Sequence, residues 1–214
     1  VTAKEHAAHR PILLLAHGAG AGQRSPWMTA WASRLSALGD VVPFEYAYMA
    51  AGKKRPDPLP VLVERHREAL ALARSRFGSD RPVVLLGKSM GSRVGCHLAV
   101  EESEQGARGT GAVRALVCFG YPLLGAARKD GSRAVRDEVL RRLRTPVLFL
   151  QGTRDPLCPL EQLEAVRLAV PAPTRLHVVP GGDHSLIVRK SDRVPQSEVD
   201  DALLESVRKF IASA

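Results

Sequence analysis

Apolar residues in this chain fall into short unbroken runs, separated by longer stretches in which they recur every three or four positions. Pro11-Ile12-Leu13-Leu14-Leu15, Val41-Val42-Pro43-Phe44, Pro82-Val83-Val84-Leu85-Leu86 and Thr145-Pro146-Val147-Leu148-Phe149-Leu150 are too short for helices, and several are rich in β-branched residues. They predict strands near 11–16, 41–46, 82–87, 113–119, 145–150 and 174–179. Between them, Ser25-Pro26 opens a helix reaching about Leu38, with Pro26 suited to the first helical position. Leu62, Ala69, Ala73 and Phe77 mark a helix over Leu59 to Phe77. Further helices are expected over Met90 to Glu102, Ala134 to Leu143, Leu160 to Val170 and Ser197 to Ile211. Alternation of this kind predicts an α/β protein with a doubly wound, six-stranded parallel sheet. One domain is expected to span residues 1–214, with 1–9 a frayed terminus and Glu101 to Gly111 a surface loop.

The polar residues that end these runs are specific. Gly87-Lys88-Ser89-Met90-Gly91 follows the third run and opens a helix, the context of a nucleophile elbow. Such a turn holds its serine in strained backbone angles, and the flanking glycines let neighbouring chain pass close by. Gln151-Gly152-Thr153-Arg154-Asp155 follows the fifth run, and Gly181-Gly182-Asp183-His184-Ser185 the sixth. Each group thus lies past the carboxyl end of a predicted parallel strand, where open α/β sheets form their crevices.

The residue types fit nucleophilic catalysis. A serine hydroxyl needs a base, and imidazole, with its ordinary pKa of about 6.5, can serve near neutrality. Ser89 is the candidate nucleophile and His184 the base. Asp155 is favoured to orient His184, with Asp183 as competitor; adjacency makes it hard for Asp183 to reach the outer ring nitrogen. Ala16-His17-Gly18-Ala19-Gly20 follows the first strand, and the N–H of Ala19, with Gly20 in reserve, would join that of Met90 to hold a tetrahedral oxyanion.

The pieces His17-Gly18-Ala19-Gly20-Ala21-Gly22, Gly87 to Arg93, Gly120-Tyr121-Pro122-Leu123, Gln151 to Asp155 and Asp183-His184-Ser185 resemble an α/β-hydrolase of the dienelactone-hydrolase-like superfamily. More narrowly, they are similar to a small branch that includes a testis-expressed mammalian protein and a subunit of a histone-acetyltransferase complex. The segment Tyr46 to Asp57 is similar to bacterial members of that branch. Dienelactone hydrolase itself has a cysteine where this chain has Ser89, so its substrate does not carry over. The resemblance implies an α/β-hydrolase fold and a serine hydrolase acting on a small ester or thioester; relatives studied as complex subunits raise the alternative of a protein-interaction module. Where such proteins carry a cap, it follows the strand that here ends near Gly120. Only Tyr121 to Arg133 separate that strand from the next predicted helix, so no cap domain is expected. The pocket should then be shallow, bounded by loops carrying Ala19, Gly20, Tyr48, Tyr121, Leu157 and Leu186.

Charge and cysteine usage refine this picture. Lys and Arg number 31 against 22 acidic residues, a net charge of +9, but they are scattered, so no specific nucleic-acid partner is expected. The one basic cluster, Lys53-Lys54-Arg55, reads as a solvated loop or as a feature favouring an acidic substrate. Cys96, Cys118 and Cys158 lack metal-ligand spacing and suit a reducing compartment. With no apolar run near ~18 residues and no leader pattern, a cytoplasmic protein without membrane, metal or cofactor is expected. The sequence carries no signal for an oligomeric state.

Overall fold

All six predicted strands belong to one parallel sheet in the computed structural model, which describes residues 10–106 and 112–214. The strands are β1 (Ile12–Ala16), β2 (Asp40–Phe44), β3 (Val83–Lys88), β4 (Val113–Phe119), β7 (Val147–Gly152) and β8 (Thr174–Val179), in the order β2-β1-β3-β4-β7-β8. Strand β1 pairs with β2 from Ile12↔Asp40 and with β3 from Ile12↔Val83, placing Ala16 beside both Phe44 and Gly87. Because strand side chains alternate, Ile12, Leu14, Val83 and Leu85 face one core while Leu13, Leu15, Val84 and Leu86 face the other.

Two helical layers cover these faces. Helices α3 (Leu59–Phe77), α4 (Met90–Glu104) and α5 (Leu160–Arg167) supply Leu62, Leu70, Val94, Leu98 and Leu163 to the first core. Helices α1 (Pro26–Leu35) and α6 (Gln196–Ser213) supply Met28, Trp31, Leu203, Val207 and Phe210 to the second. Each such side chain contributes about 1.5–3 kcal/mol of hydrophobic stabilisation, which makes the central strands a rigid platform. Pro26 is the first residue of α1, and Ser25 occupies the cap position without a side-chain hydrogen bond. A short helix, α2 (Ala47–Ala50), interrupts the loop after β2.

The connection between β4 and β7 differs from expectation. The segment predicted as a helix over Ala134 to Leu143 instead begins as strand β6 (Arg133–Val135), antiparallel to β5 (Leu124–Ala127), and ends in a 3₁₀ turn at Leu140–Arg142. Arg133 explains part of this. Its Nε donates to the Gly125 carbonyl at 2.7 Å and its Nη1 to that of Pro156 at 2.8 Å. Asp130 closes the hairpin turn by accepting from the Ser132 N–H at 2.9 Å. Among the described residues, the connection from β4 to β7 holds this short hairpin and the 3₁₀ turn. Helix α4 runs to Glu104, so part of the expected surface loop is helical; residues 107–111 and the expected frayed segment 1–9 lie outside the described residues.

Candidate active site

Ser89 stands between the last residue of β3 and the first of α4 at φ 51° and ψ −115°, a left-handed conformation that is strained for a side chain bearing a Cβ. Tight packing holds it there. A Cβ on Gly91 would lie 2.7 Å from the carbonyl oxygens of Ala16 and His17, and one on Gly87 2.2 Å from the Ser92 nitrogen. The end of β1 is thereby pressed against the first turn of α4.

Three side chains from separate loops meet at this turn. Ser89 Oγ lies 2.7 Å from His184 Nε2, and His184 Nδ1 lies 2.7 Å from Asp155 Oδ2. The Asp155 side chain is fully buried, and its charge is held by two further donors. Gln151 Nε2 donates to Oδ2 at 2.6 Å and the Leu157 N–H to Oδ1 at 2.8 Å. Asp183 instead accepts from the Ser185 and Ile187 N–H groups at 2.7 and 3.0 Å, folding the loop that carries His184. That loop is tied down again by Trp27 Nε1, which donates to the Ser185 carbonyl at 3.2 Å, and by Lys88 Nζ, 2.9 Å from Ser185 Oγ. Burial lowers the Lys88 pKa, against the attraction of Asp183 and Asp155.

The loop after β1 is fixed by the side chain of His17, for which local sequence pattern assigns no role. The Tyr46 N–H donates to His17 Nε2 at 3.1 Å, so Nε2 is the acceptor and the proton sits on Nδ1. Nδ1 then donates to the Gly18 carbonyl at 2.7 Å. Burial lowers the pKa of this imidazole, against the Gly18 bond and the Glu45 charge. The Gly18 carbonyl and the Ala19 N–H belong to one planar peptide, so anchoring the first aims the second. Ala19's own carbonyl accepts from Tyr48 Oη at 2.9 Å. Among the described residues the Ala19 N–H has no acceptor, and the Met90 N–H is a first-turn amide without a partner inside its helix.

A cavity of about 420 Å³ opens beside Ser89, walled by Ala19, Met90, Pro122, Leu124 and Leu157. Four of the expected pocket residues lie elsewhere. Tyr48 and Tyr121 are fully buried, with their hydroxyls on the Ala19 and Arg136 carbonyls, Leu186 packs in the second core, and Gly20 is exposed outside the cavity. Arg93 and two hairpin arginines line the cavity instead. The exposed Lys53-Lys54-Arg55 cluster borders a separate surface hollow. Among the described residues, no three His, Cys, Asp or Glu side chains are grouped to hold a metal, and no helix is long and apolar enough to cross a membrane.

A parallel sheet of this order, with serine on the elbow after β3 and acid and histidine after β7 and β8, defines an α/β hydrolase. The model of the alpha/beta hydrolase domain family matches residues 9–212, and the chain belongs to that family. Solved structures agree on the fold. An alpha-beta serine hydrolase homologue from Coxiella burnetii superposes with a TM-score of 0.69 at 19% identity, covering 94% of this chain and 84% of its own. Dienelactone hydrolase from Anabaena variabilis gives 0.68 at 18% identity, with 96% and 87% covered. Est1E from Butyrivibrio proteoclasticus, with ferulic acid bound, gives 0.68 at 16% identity, with 100% and 92% covered.

Proposed function

We propose that this protein is a serine hydrolase of the carboxylesterase or thioesterase type, working as one domain on small esters through an acyl-enzyme. The observation that carries the reading is the unbroken line Ser89–His184–Asp155, two hydrogen bonds of 2.7 Å ending on a strained elbow serine that faces a cavity. His184 Nε2 takes the Ser89 proton as Oγ bonds to the substrate carbonyl carbon. The carbonyl oxygen becomes an oxyanion held by the N–H groups of Met90 and Ala19. Asp155 stabilises the imidazolium on its other side. Collapse breaks the bond to the alcohol or thiol, which leaves with the proton from Nε2. Water then gives its proton to His184, attacks the acyl carbon, and the acid departs as Ser89 recovers its proton.

Labelling with a fluorophosphonate probe tests this directly. The probe should modify Ser89, and Ser89→Ala should abolish labelling and lower ester turnover by on the order of 10⁴ or more. Hydrolysis persisting in Ser89→Ala would remove the assignment. An open cavity at Ser89 favours the enzyme over an interaction module, for which a filled pocket would be the natural counterpart. The motif likeness to the testis-expressed and acetyltransferase-subunit branch supports placing the chain there. Its three cysteines, free and buried, support a reducing, cytoplasmic setting. Many surface arginines are paired with carboxylates, as in Arg34 with Asp200 and Asp201, which supports a solvated surface over specific nucleic-acid binding.

A further inference from the structure

The cavity beside Ser89 carries more positive charge than its surroundings neutralise. Arg93 lies one helical turn beyond Ser89, its backbone N–H donating to the Ser89 carbonyl at 3.3 Å. Its side chain reaches the cavity wall, and its Nε is buried with no hydrogen-bond partner. Arg136, on the far side of the hairpin, also lines the cavity. Burial and the neighbouring Arg93 charge lower its pKa. Among the described residues the Arg133 side chain bonds to the neutral carbonyls of Gly125 and Pro156 alone.

Several arginines elsewhere meet carboxylates, Arg74 with Glu102, Arg81 with Asp40 and Arg142 with Glu104, while others such as Arg10 and Arg154 bond backbone carbonyls. Among the described residues none of the three cavity arginines forms an ion pair, and Asp57 is the single carboxylate in the wall. Like charges brought together in a half-buried wall repel, and a buried guanidinium N–H without an acceptor is costly. The planar donor fork matches a carboxylate in shape and charge. We propose that the cavity binds the carboxylate of an anionic ester, with Arg93 and Arg136 as its partners and the scissile ester at Ser89. The ester part rests on the hydrolase reading above; the anion site rests on the arginines.

Matched ester pairs test the proposal, with uncatalysed rates subtracted. One pair places the charge on the acyl side: the 4-nitrophenyl monoester of glutaric acid against 4-nitrophenyl pentanoate. The other places it on the alcohol side: 3-carboxyphenyl butyrate against phenyl butyrate. In at least one pair kcat/KM should be tenfold or more higher for the anion, an advantage that shrinks with added salt and falls toward parity in Arg93→Met and, independently, in Arg136→Met. Parity in both pairs for the unaltered protein would overturn the anion site while leaving the hydrolase reading standing. If no ester is turned over and Ser89 is not labelled, the hydrolase reading fails, and binding decides the anion site. Glutaric acid monoanilide should then bind Ser89→Ala saturably and at least tenfold more weakly once Arg93→Met is added. Absence of binding, or binding indifferent to both arginines, would overturn it.

Discussion

Replacing His17 separates the two jobs its ring performs. His17→Phe keeps most of the volume and removes both hydrogen bonds, the 2.7 Å bond to the Gly18 carbonyl and the 3.1 Å bond from the Tyr46 N–H. An oxyanion donor is worth roughly 10²–10³ in kcat, and a peptide free to swing keeps part of that, so kcat should fall roughly 10- to 100-fold with KM little changed. Stranding one buried acceptor and one buried donor should cost about 2–4 kcal/mol of stability. The two effects can be rescued apart. In His17→Asn the amide nitrogen stands near the place of Nδ1 and restores the Gly18 bond; in His17→Gln the amide oxygen stands near that of Nε2 and restores the Tyr46 bond. Steady-state hydrolysis of 4-nitrophenyl butyrate and urea unfolding read the two effects. Asn should recover most of kcat and Gln most of the stability. Intact kcat in His17→Phe, or equal rescue of both quantities by Asn and Gln, would refute the idea that this ring aims the Ala19 N–H.

Acid should destabilise the fold through His66, which burial pushes down to about 3. Neutral when folded but protonated below about 6.5 when unfolded, it gives full stabilisation above pH 6.5 that is lost as pH falls toward 3. Between pH 7 and 5 His66 should contribute about 2 kcal/mol to the loss, so urea titrations of His66→Phe should show a pH slope shallower by that amount; an unchanged pH slope in that variant would count against it. For substrates, kcat/KM for 4-nitrophenyl esters should peak around acetyl to butyryl. Each further methylene could add about 0.8 kcal/mol only where a wall covers it, so a steady rise to long fatty-acyl esters would reveal an apolar tunnel.

Much of this architecture is legible in the sequence because the sheet is buried on both faces. Strands such as Ile12–Ala16 and the Val83–Leu86 stretch of β3 are apolar on both faces, and the polar residues just after them stand out by contrast. The hairpin is harder to read. Val135, Val139, Leu140 and Leu143 repeat at helical spacing, yet only the last three are buried, around a 3₁₀ turn, while Val135 is exposed. Strands of 4 and 3 residues leave too few positions for a twofold pattern to declare itself. The position of Tyr48 and Tyr121 after strand ends predicts pocket-lining rings, but each has a backbone carbonyl to satisfy its hydroxyl in the interior. The roles of Gln151 and the His17 ring depend on partners distant in sequence or on ring tautomer, neither of which local pattern encodes.

The β5–β6 hairpin divides the molecule's capacity for change. Ser89, Asp155 and His184 are held by strand ends that cannot shift without disturbing the sheet, whereas Arg133 and Arg136 ride on a connection that leaves the sheet between β4 and β7. Closing a longer connection there costs only about 0.6 kcal/mol for each doubling of its length. Selectivity in such a protein can therefore diversify by insertion at one seam, over generations of substitutions that leave the chemical machinery inherited intact.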